Sequence, residues 1–262
     1  LPYKNWKGLT IDSGEFTRNL DEAVELSDWS GFEARRHESA TRGKKRGQGV
    51  SYYVEVSGGP PGPEPSKIRF TQNGGVKVFL GTQSNGQGHE TAFAQLVCEQ
   101  LAIPYEQIEI LAGDTDYGVE GRGSVGSRSL QTAGNAILVA SEEIIRKGKL
   151  ASSHILQAGG SEVEFVREGE VGLFRVAGTD RSIGLSELAV ALKREKITGF
   201  EDGLDSEGSF EGKPTFPNGC HICELEVDPE TGIVEIVRYV VVDDMGRVVN
   251  PLIVEGQIHG GV

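Results

Sequence analysis

Twice along this chain an apolar, extended run passes through a glycine-rich stretch directly into an amphipathic helical pattern, and these two crossings constrain the fold more than any other feature. The first crossing is Gly81 to Gly88, leading from the strand-like Gly75–Leu80 into a helix expected from about His89 to Leu101. In that helix Phe93, Leu96, Val97 and Leu101 fall on one side, and Pro104 forces the exit. The second crossing is Gly118 to Gly126, leading into a long helix expected from about Ser129 to Lys149, with Ala133, Ile137, Ala140, Ile144 and Ile145 as its apolar stripe. A helix start leaves main-chain N–H groups without partners and carries the positive end of the helix dipole. Glycines beside it let a ligand approach the backbone. Each crossing therefore suits an anion. Each also has a plain packing reading, because glycine-rich strand-to-helix turns serve close packing as well.

The remaining pattern is a mixture of hairpins and helices. Residues 1–14 read as an extended lead-in, and Glu15 to Trp29 as a helix with Asp12 or Ser13 as its N-cap. The charged stretch from Gly31 to Lys45 reads as a second, solvent-facing helix, and Arg42 to Arg46 (RGKKR) as a solvated turn. Gly47 to Ser57 reads as a strand, and Ser66–Gln72 with Gly75–Leu80 as a hairpin around Asn73-Gly74. Gln107 to Leu111 is a short strand. After residue 150 short strands dominate, with one helix near Ser186–Glu195 capped by Ser186. Gly199 to Pro217 reads as a long polar connection, and His221–Val227 with Ile233–Val242 as a hairpin around Asp228-Pro-Glu-Thr-Gly232. The expected fold class is α+β, with mixed sheets and helices in two intertwined subdomains, 1–150 and 151–262.

Composition closes off several functions. Acidic residues outnumber basic ones 39 to 26, for a net charge of −13, and no basic face stands out that would hold nucleic acid. Three cysteines, Cys98, Cys220 and Cys223, are too few and too odd a number for a secreted disulfide framework. No apolar run reaches membrane-spanning length, and a cytoplasmic location is expected.

The loops themselves are informative in what they lack. The first loop has no Gly-Lys-Ser/Thr ending, so it is not a P-loop, and Thr91 stands where a dinucleotide fingerprint has its third glycine. Gly86 and Gly88 allow close approach, and the side chain of Gln87 between them can donate to a bound oxygen. In the second loop, Gly123-Ser-Val-Gly-Ser-Arg-Ser129, Arg128 can clamp a phosphate while Ser127 and Ser129 cap the helix, or the segment is simply a capped helix. Two such starts in one chain suggest a long, anionic cofactor laid across several loops. The paired carboxylates Asp243-Asp244 suit metal or acid–base work, yet an Asp-Asp-x-Gly turn is more often structural. Cys220-His-Ile-Cys223 lacks a partner pair and a redox context, and reads as strand alternation. The five histidines show no metal-ligand spacing.

In order along the chain stand Gly8-Leu-Thr-Ile-Asp-Ser-Gly14, Asn85-Gly-Gln-Gly-His-Glu-Thr91, Gly113-Asp-Thr-Asp116, Gly126-Ser-Arg-Ser129, Thr215-Phe-Pro-Asn-Gly219, Asp228-Pro-Glu-Thr-Gly232, Asp243-Asp-Met-Gly246 and Asn250-Pro-Leu-Ile-Val-Glu-Gly-Gln-Ile-His-Gly-Gly261. This ordered set resembles the molybdopterin-binding region of the large subunit of xanthine dehydrogenase/aldehyde oxidase/carbon monoxide dehydrogenase-type molybdenum hydroxylases. The resemblance is strongest to the carbon monoxide dehydrogenase-like branch.

That resemblance implies an oxidoreductase subunit that hydroxylates an aldehyde, N-heterocycle or purine with water as oxygen source, or oxidises carbon monoxide. It implies molybdenum held by molybdopterin, in the cytosine dinucleotide form, with FAD and 2Fe-2S clusters on partner subunits in a dimer of heterotrimers. Gly86, Gln87, Gly88, His89 and Thr91 would bind the cofactor from the first loop, and Gly126, Ser127, Arg128 and Ser129 from the second. Asp243, Asp244, Gly246 and Gln257 would flank its other side, and Gln87 would face the molybdenum without ligating it. No protein side chain is implied as a metal ligand. The family's catalytic glutamate would follow Gly261, so this stretch alone is expected to be inactive. Two other readings stand beside this one: a non-catalytic binding or assembly module that keeps the pterin loops, and a nucleotide-binding enzyme of another class.

Overall fold

A computed structural model describes residues 1–195, 197 and 199–262. In chain order the elements are β1 (Tyr3–Lys4), β2 (Thr10–Ile11), α1 (Phe16–Leu26), α2 (Phe32–Thr41), β3 (Lys45–Val54), β4 (Glu64–Phe70), β5 (Val76–Leu80), α3 (His89–Leu101), β6 (Ile108–Ala112), α4 (Ser129–Ile155), β7 (Val163–Glu168), β8 (Val171–Val176), β9 (Ser182–Gly184), α5 (Leu185–Glu195), β10 (Ser206–Phe210), β11 (Asn218–Val227), β12 (Val234–Asp244) and α6 (Pro251–Gly261). The α+β class expected from the sequence holds.

The chain forms two compact units, Leu1–Ser57 with Pro214–Arg247, and Gly58–Lys213 with Val248–Val262. The boundary expected near residue 150 falls inside α4, an unbroken helix from Ser129 to Ile155, so it does not separate packed bodies. The hydrophobic stripe of that helix runs on past Lys149 through Ala151, which is buried in the core.

In the first unit, β11 lies between β12 and β3, antiparallel to both. Alternation along β11 sends Cys220, Ile222, Glu224 and Glu226 to the buried face. Helix α1 covers one end of that face with Ala23. Its N-cap position is Glu15, which makes no side-chain cap, so neither Asp12 nor Ser13 plays the expected role.

The basic run Arg42–Arg46 is not a solvated turn. Arg46 Nε donates to Glu224 Oε1 at 2.5 Å, Arg35 Nε donates to the same oxygen at 2.9 Å, and Arg42 Nη2 donates to Glu226 Oε1 at 2.5 Å. The Ser39 hydroxyl adds a bond to Glu226 at 2.6 Å, and Lys44 Nζ reaches Asp228 Oδ2 at 2.7 Å. The glutamates face inward because strand alternation puts them there; the arginines come from α2, the position that ends it and β3 to neutralise them. Burial pushes the Glu224 carboxyl up, but the hydrogen bonds from Arg35 and Arg46 outweigh it and hold it below the usual carboxylate range. Arg42 and Ser39 hold Glu226 down, and Lys44 with two turn amides holds Asp228 at about 2.

In the second unit the sheet order is β10-β4-β5-β6. Strands β4 and β5 form the expected hairpin, with Gly74 at φ +83° in its turn. Strands β5 and β6 pair in parallel, with α3 as the crossover between them. Against this sheet pack α3 and α4, burying Phe93, Val97, Ile137 and Ile144 completely; each such side chain contributes about 2 kcal/mol of transfer free energy. Strand β10 lies within the stretch expected to be a plain connection. It is strand because Ser206–Phe210 pairs with Glu64–Ile68, and Gly208 lets α4 sit directly on it. Ser186 is inside α5 rather than capping it, since the helix begins at Leu185. Helix α6 carries a local start signal: the Asn250 side chain accepts from the Ile253 N–H, with Pro251 at the first helical position. No helix among the described residues is long and apolar enough to cross a membrane.

The depressed carboxylates set an acid limit. A carboxyl with a lowered folded pKa adds stability above its unfolded value, about 4.3 for glutamate, and loses it as pH falls through the folded value. The unfolding midpoint in urea is therefore expected to hold from pH 7 to pH 5 and fall steeply from about 4.3 downward. Glu224→Gln is expected to cost about 3 kcal/mol at pH 7, with the gap to wild type closing at pH 3. An equal gap at both pH values would contradict this account.

Candidate functional site

The parallel pairing of β5 and β6 runs in register to their last residues, Leu80 against Ala112. Parallel strands end at the same edge of a sheet, so the segments leaving them, Gly81–Gly88 and Gly113–Arg128, start side by side. Gly81 and Gly121 meet backbone to backbone: a Cβ on Gly81 would stand 2.3 Å from Gly121 Cα. Gly126, at φ +57°, packs against Gly59 in the same way, and its carbonyl accepts from the Gly58 N–H at 3.0 Å.

A chain of side-chain hydrogen bonds then joins the two loops. Gln87 Oε1 accepts from the Asn85 N–H at 2.5 Å, and Gln87 Nε2 donates to Ser124 Oγ at 3.3 Å. The hydroxyls of Ser124 and Ser129 are 3.0 Å apart, and Ser129 meets Thr82 at 2.8 Å. Thr82 belongs to the first loop, so the circuit closes. Neither helix start is capped by a side chain: α3 begins after Gly88 at φ +71°, and α4 after Arg128. Two helix N-termini without a side-chain cap thus share one polar circuit. Gly86, at φ +100°, has nothing within 4 Å of where a Cβ would lie. The loop is open on that side.

Of the residues singled out from the sequence, Gly86, Gln87, Gly88, Gly126, Ser127, Arg128 and Ser129 fall in these two loops or at the helix starts they lead to, with His89 and Thr91 in the first turn of α3. The ring of His89 packs on Phe93, its Nδ1 lies 3.2 Å from the Gln83 carbonyl oxygen, and burial lowers its pKa, so it is neutral at pH 7. Gln257 is exposed on α6, whose start is tied to α3: Asn250 Nδ2 donates to Gln95 Oε1 at 2.9 Å, and a Cβ on Gly88 would stand 2.8 Å from Ile253 Cδ1.

Two expectations need correction. The Arg128 side chain is fully buried and pairs with Glu64, donating also to the Gly62 carbonyl at 3.3 Å, so it is not offered to a phosphate. Ser127 does not cap α4, because the N-cap position is Arg128. Glu64 went unnoticed in the sequence; a lone glutamate between prolines carries no local sign of a partner 64 residues away.

Asp243, Asp244 and Gly246 belong to the first unit. Asp243 Oδ1 accepts from the Tyr53 hydroxyl at 3.0 Å and lies 3.4 Å from His221 Nε2. Asp244 accepts from the Glu15 and Gly246 N–H groups at 3.3 and 3.1 Å. Adjacent residues of one strand point to opposite faces, so these carboxylates do not act as a pair. For the same reason Cys220 and Cys223, three apart on β11, lie on opposite faces. Among the described residues no group of three or more His, Cys, Asp or Glu is placed to hold a metal. A depression of about 420 Å³ on the outer face of the β12-β11-β3 sheet, lined by His221, Cys223 and Tyr239 among others, includes none of the expected site residues.

A family model described as "Molybdopterin cofactor-binding domain" matches residues 22–262. The chain is 32% identical over 280 residues to the carbon monoxide dehydrogenase large chain of Afipia carboxidovorans, covering all of this chain and 34% of that one. It is 33% identical over 278 residues to the nicotine 6-hydroxylase large subunit of Paenarthrobacter nicotinovorans, with the same coverage of each. Among solved structures, reconstituted CO dehydrogenase from Oligotropha carboxidovorans superimposes with a TM-score of 0.88 at 32% identity, over 99% of this chain and 34% of that one. The chain thus spans about a third of the length of these relatives.

The glycine contacts separate backbone strain from crowding. Gly126→Ala forces a left-handed residue against Gly59 and is expected to cost roughly 3 kcal/mol. Gly123→Ala, at φ +76° with open space around it, is expected to cost only about 1 kcal/mol. Urea unfolding of both variants checks the ranking; equal losses would mean that the backbone contact contributes nothing.

Proposed function

The chain belongs to the molybdopterin cofactor-binding domain family, and from that premise we propose that it is part of the large subunit of a molybdenum hydroxylase-type oxidoreductase. The reaction is hydroxylation of an aldehyde, N-heterocycle or purine with water as oxygen source, or oxidation of carbon monoxide. One observation carries the reading: two uncapped helix starts joined through Gln87, Ser124, Ser129 and Thr82 into a single donor-rich cradle.

The residues present fit such a group. The α3 and α4 starts offer main-chain donors and aligned dipoles to an anionic pterin or its phosphate. Gly86 leaves the approach clear of side chains. When bound, the molybdenum–pterin group supplies the two-electron redox chemistry. The chain's own residues bind and orient it. Gln87 presents an amide already held at both ends, so little ordering is left to do on binding. Neutral His89 fills the first turn of α3 without adding charge. Gly88, Thr91, Gly126, Ser127, Ser129 and Gln257 complete the proposed set. Arg128 contributes through its main chain.

The same reading takes the cofactor in its cytosine dinucleotide form and puts FAD and 2Fe-2S clusters on partner subunits, in a cytoplasmic dimer of heterotrimers. Support for partner subunits comes from the relatives, which are named as large chains or large subunits. The three free thiols suit a reducing compartment.

The test is cofactor analysis of the complete subunit purified with its partners. Pterin fluorescence after oxidative release and molybdenum by mass spectrometry are expected to give one of each per subunit. Bound nucleotide with neither pterin nor molybdenum would overturn the reading. Gln87→Ala is expected to keep pterin content within about twofold while turnover falls roughly a hundredfold.

A further inference from the structure

Glu64 has no place in the cofactor-binding set, yet it touches every loop that builds the cradle. It opens β4, and its side chain is wholly buried. Its Oε2 receives the guanidinium of Arg128 and the main-chain N–H of Arg122, the latter at 3.1 Å. Its Oε1 has no hydrogen-bond partner among the described residues and stands against the glycine contact between the loops, 3.0 Å from a Cβ built on Gly81 and 2.3 Å from one built on Gly121. Through Arg128 the pair extends to the segment 58–63 that precedes β4: Nη2 donates to the Gly62 carbonyl, and the stem of Arg128 lies against Gly59.

A buried ion pair is a poor way to gain stability. Removing both charges from water is costly, and apolar replacements of similar volume often leave a fold as stable or more so. What a charged pair supplies is direction, because a carboxylate accepting from a guanidinium and an amide at once fixes the geometry of both. Here the guanidinium comes from the residue immediately before α4, and the amide from the loop that reaches it. The carboxylate also rests on Gly81, where the loop to α3 begins.

We propose that Glu64, acting through Arg128, is the positioning residue that holds the starts of α3 and α4 at one ligand. This rests on the cofactor reading above for the identity of the ligand, though not for the positioning itself. Glu64 and Arg128 touch no reacting atom; they set where the main-chain donors of residues 89–91 and 129–131 stand.

The experiment uses the complete subunit in its complex, with Glu64→Leu/Arg128→Met as a volume-preserving double variant and Arg128→Lys as a milder one. Three readouts are taken: thermal midpoint of the cofactor-free protein, pterin content, and hydrogen exchange of residues 86–91 and 123–129. The double variant is expected to keep its midpoint within about 2 °C, lose about tenfold or more in pterin content, and exchange about tenfold faster in the two loops. Arg128→Lys keeps the charge but not the fork, and is expected to fall between it and wild type. Wild-type pterin content and wild-type exchange in a folded double variant would overturn the proposal. If the double variant does not fold, unchanged exchange and pterin content in Arg128→Lys would overturn it instead. A wild-type subunit without pterin would sink the cofactor reading, while the exchange rates would still decide the positioning role.

Discussion

The parallel, in-register pairing of β5 with β6 is the constraint on which the candidate site depends. An antiparallel pair would send its two exits to opposite edges of the sheet. A parallel pair needs a crossover, which α3 supplies, and it delivers both exits to the same edge. Ligands in sheets of this kind sit beyond the carboxyl ends of the strands for the same reason. Each helix start carries about half a positive charge, so bringing two together is unfavourable until an anion lies between them.

Holding two like-signed helix ends together requires rigid support, and the support is polar. Glu64 and Arg128 are both fully buried, and each bonds to a loop backbone as well as to the other. The first unit uses the same device on another scale, with Glu224 and Glu226 under α2 answered by Arg35, Arg42 and Arg46. In both units cations that look ligand-facing or solvated in the sequence are spent on internal carboxylates. Their partners lie 64 to 189 residues away, beyond the reach of any local sequence signal.

Legibility followed the range of the forces. Helix α3 was readable to its last residue because its apolar spacing and Pro104 are local signals, and the β4–β5 hairpin because Asn73-Gly74 specifies its turn. Strand β10 was invisible because it exists only by pairing with β4, with Gly208 making room for α4. The extra turns of α4 beyond Lys149 come from tertiary burial of Ala151 rather than from a stronger local pattern. Asp243 and Asp244 looked like a pair because they are neighbours in sequence; strand geometry turns them apart.

By itself the sequence determined the two glycine-rich helix starts, their donors and the ordered motifs that carry the family likeness, since turns, caps and periodicity act over a few residues. It did not contain, in any local form, the fact that these starts converge. That was decided by one strand pairing and one buried ion pair, both of which join residues distant along the chain and exist only once the sheet has formed.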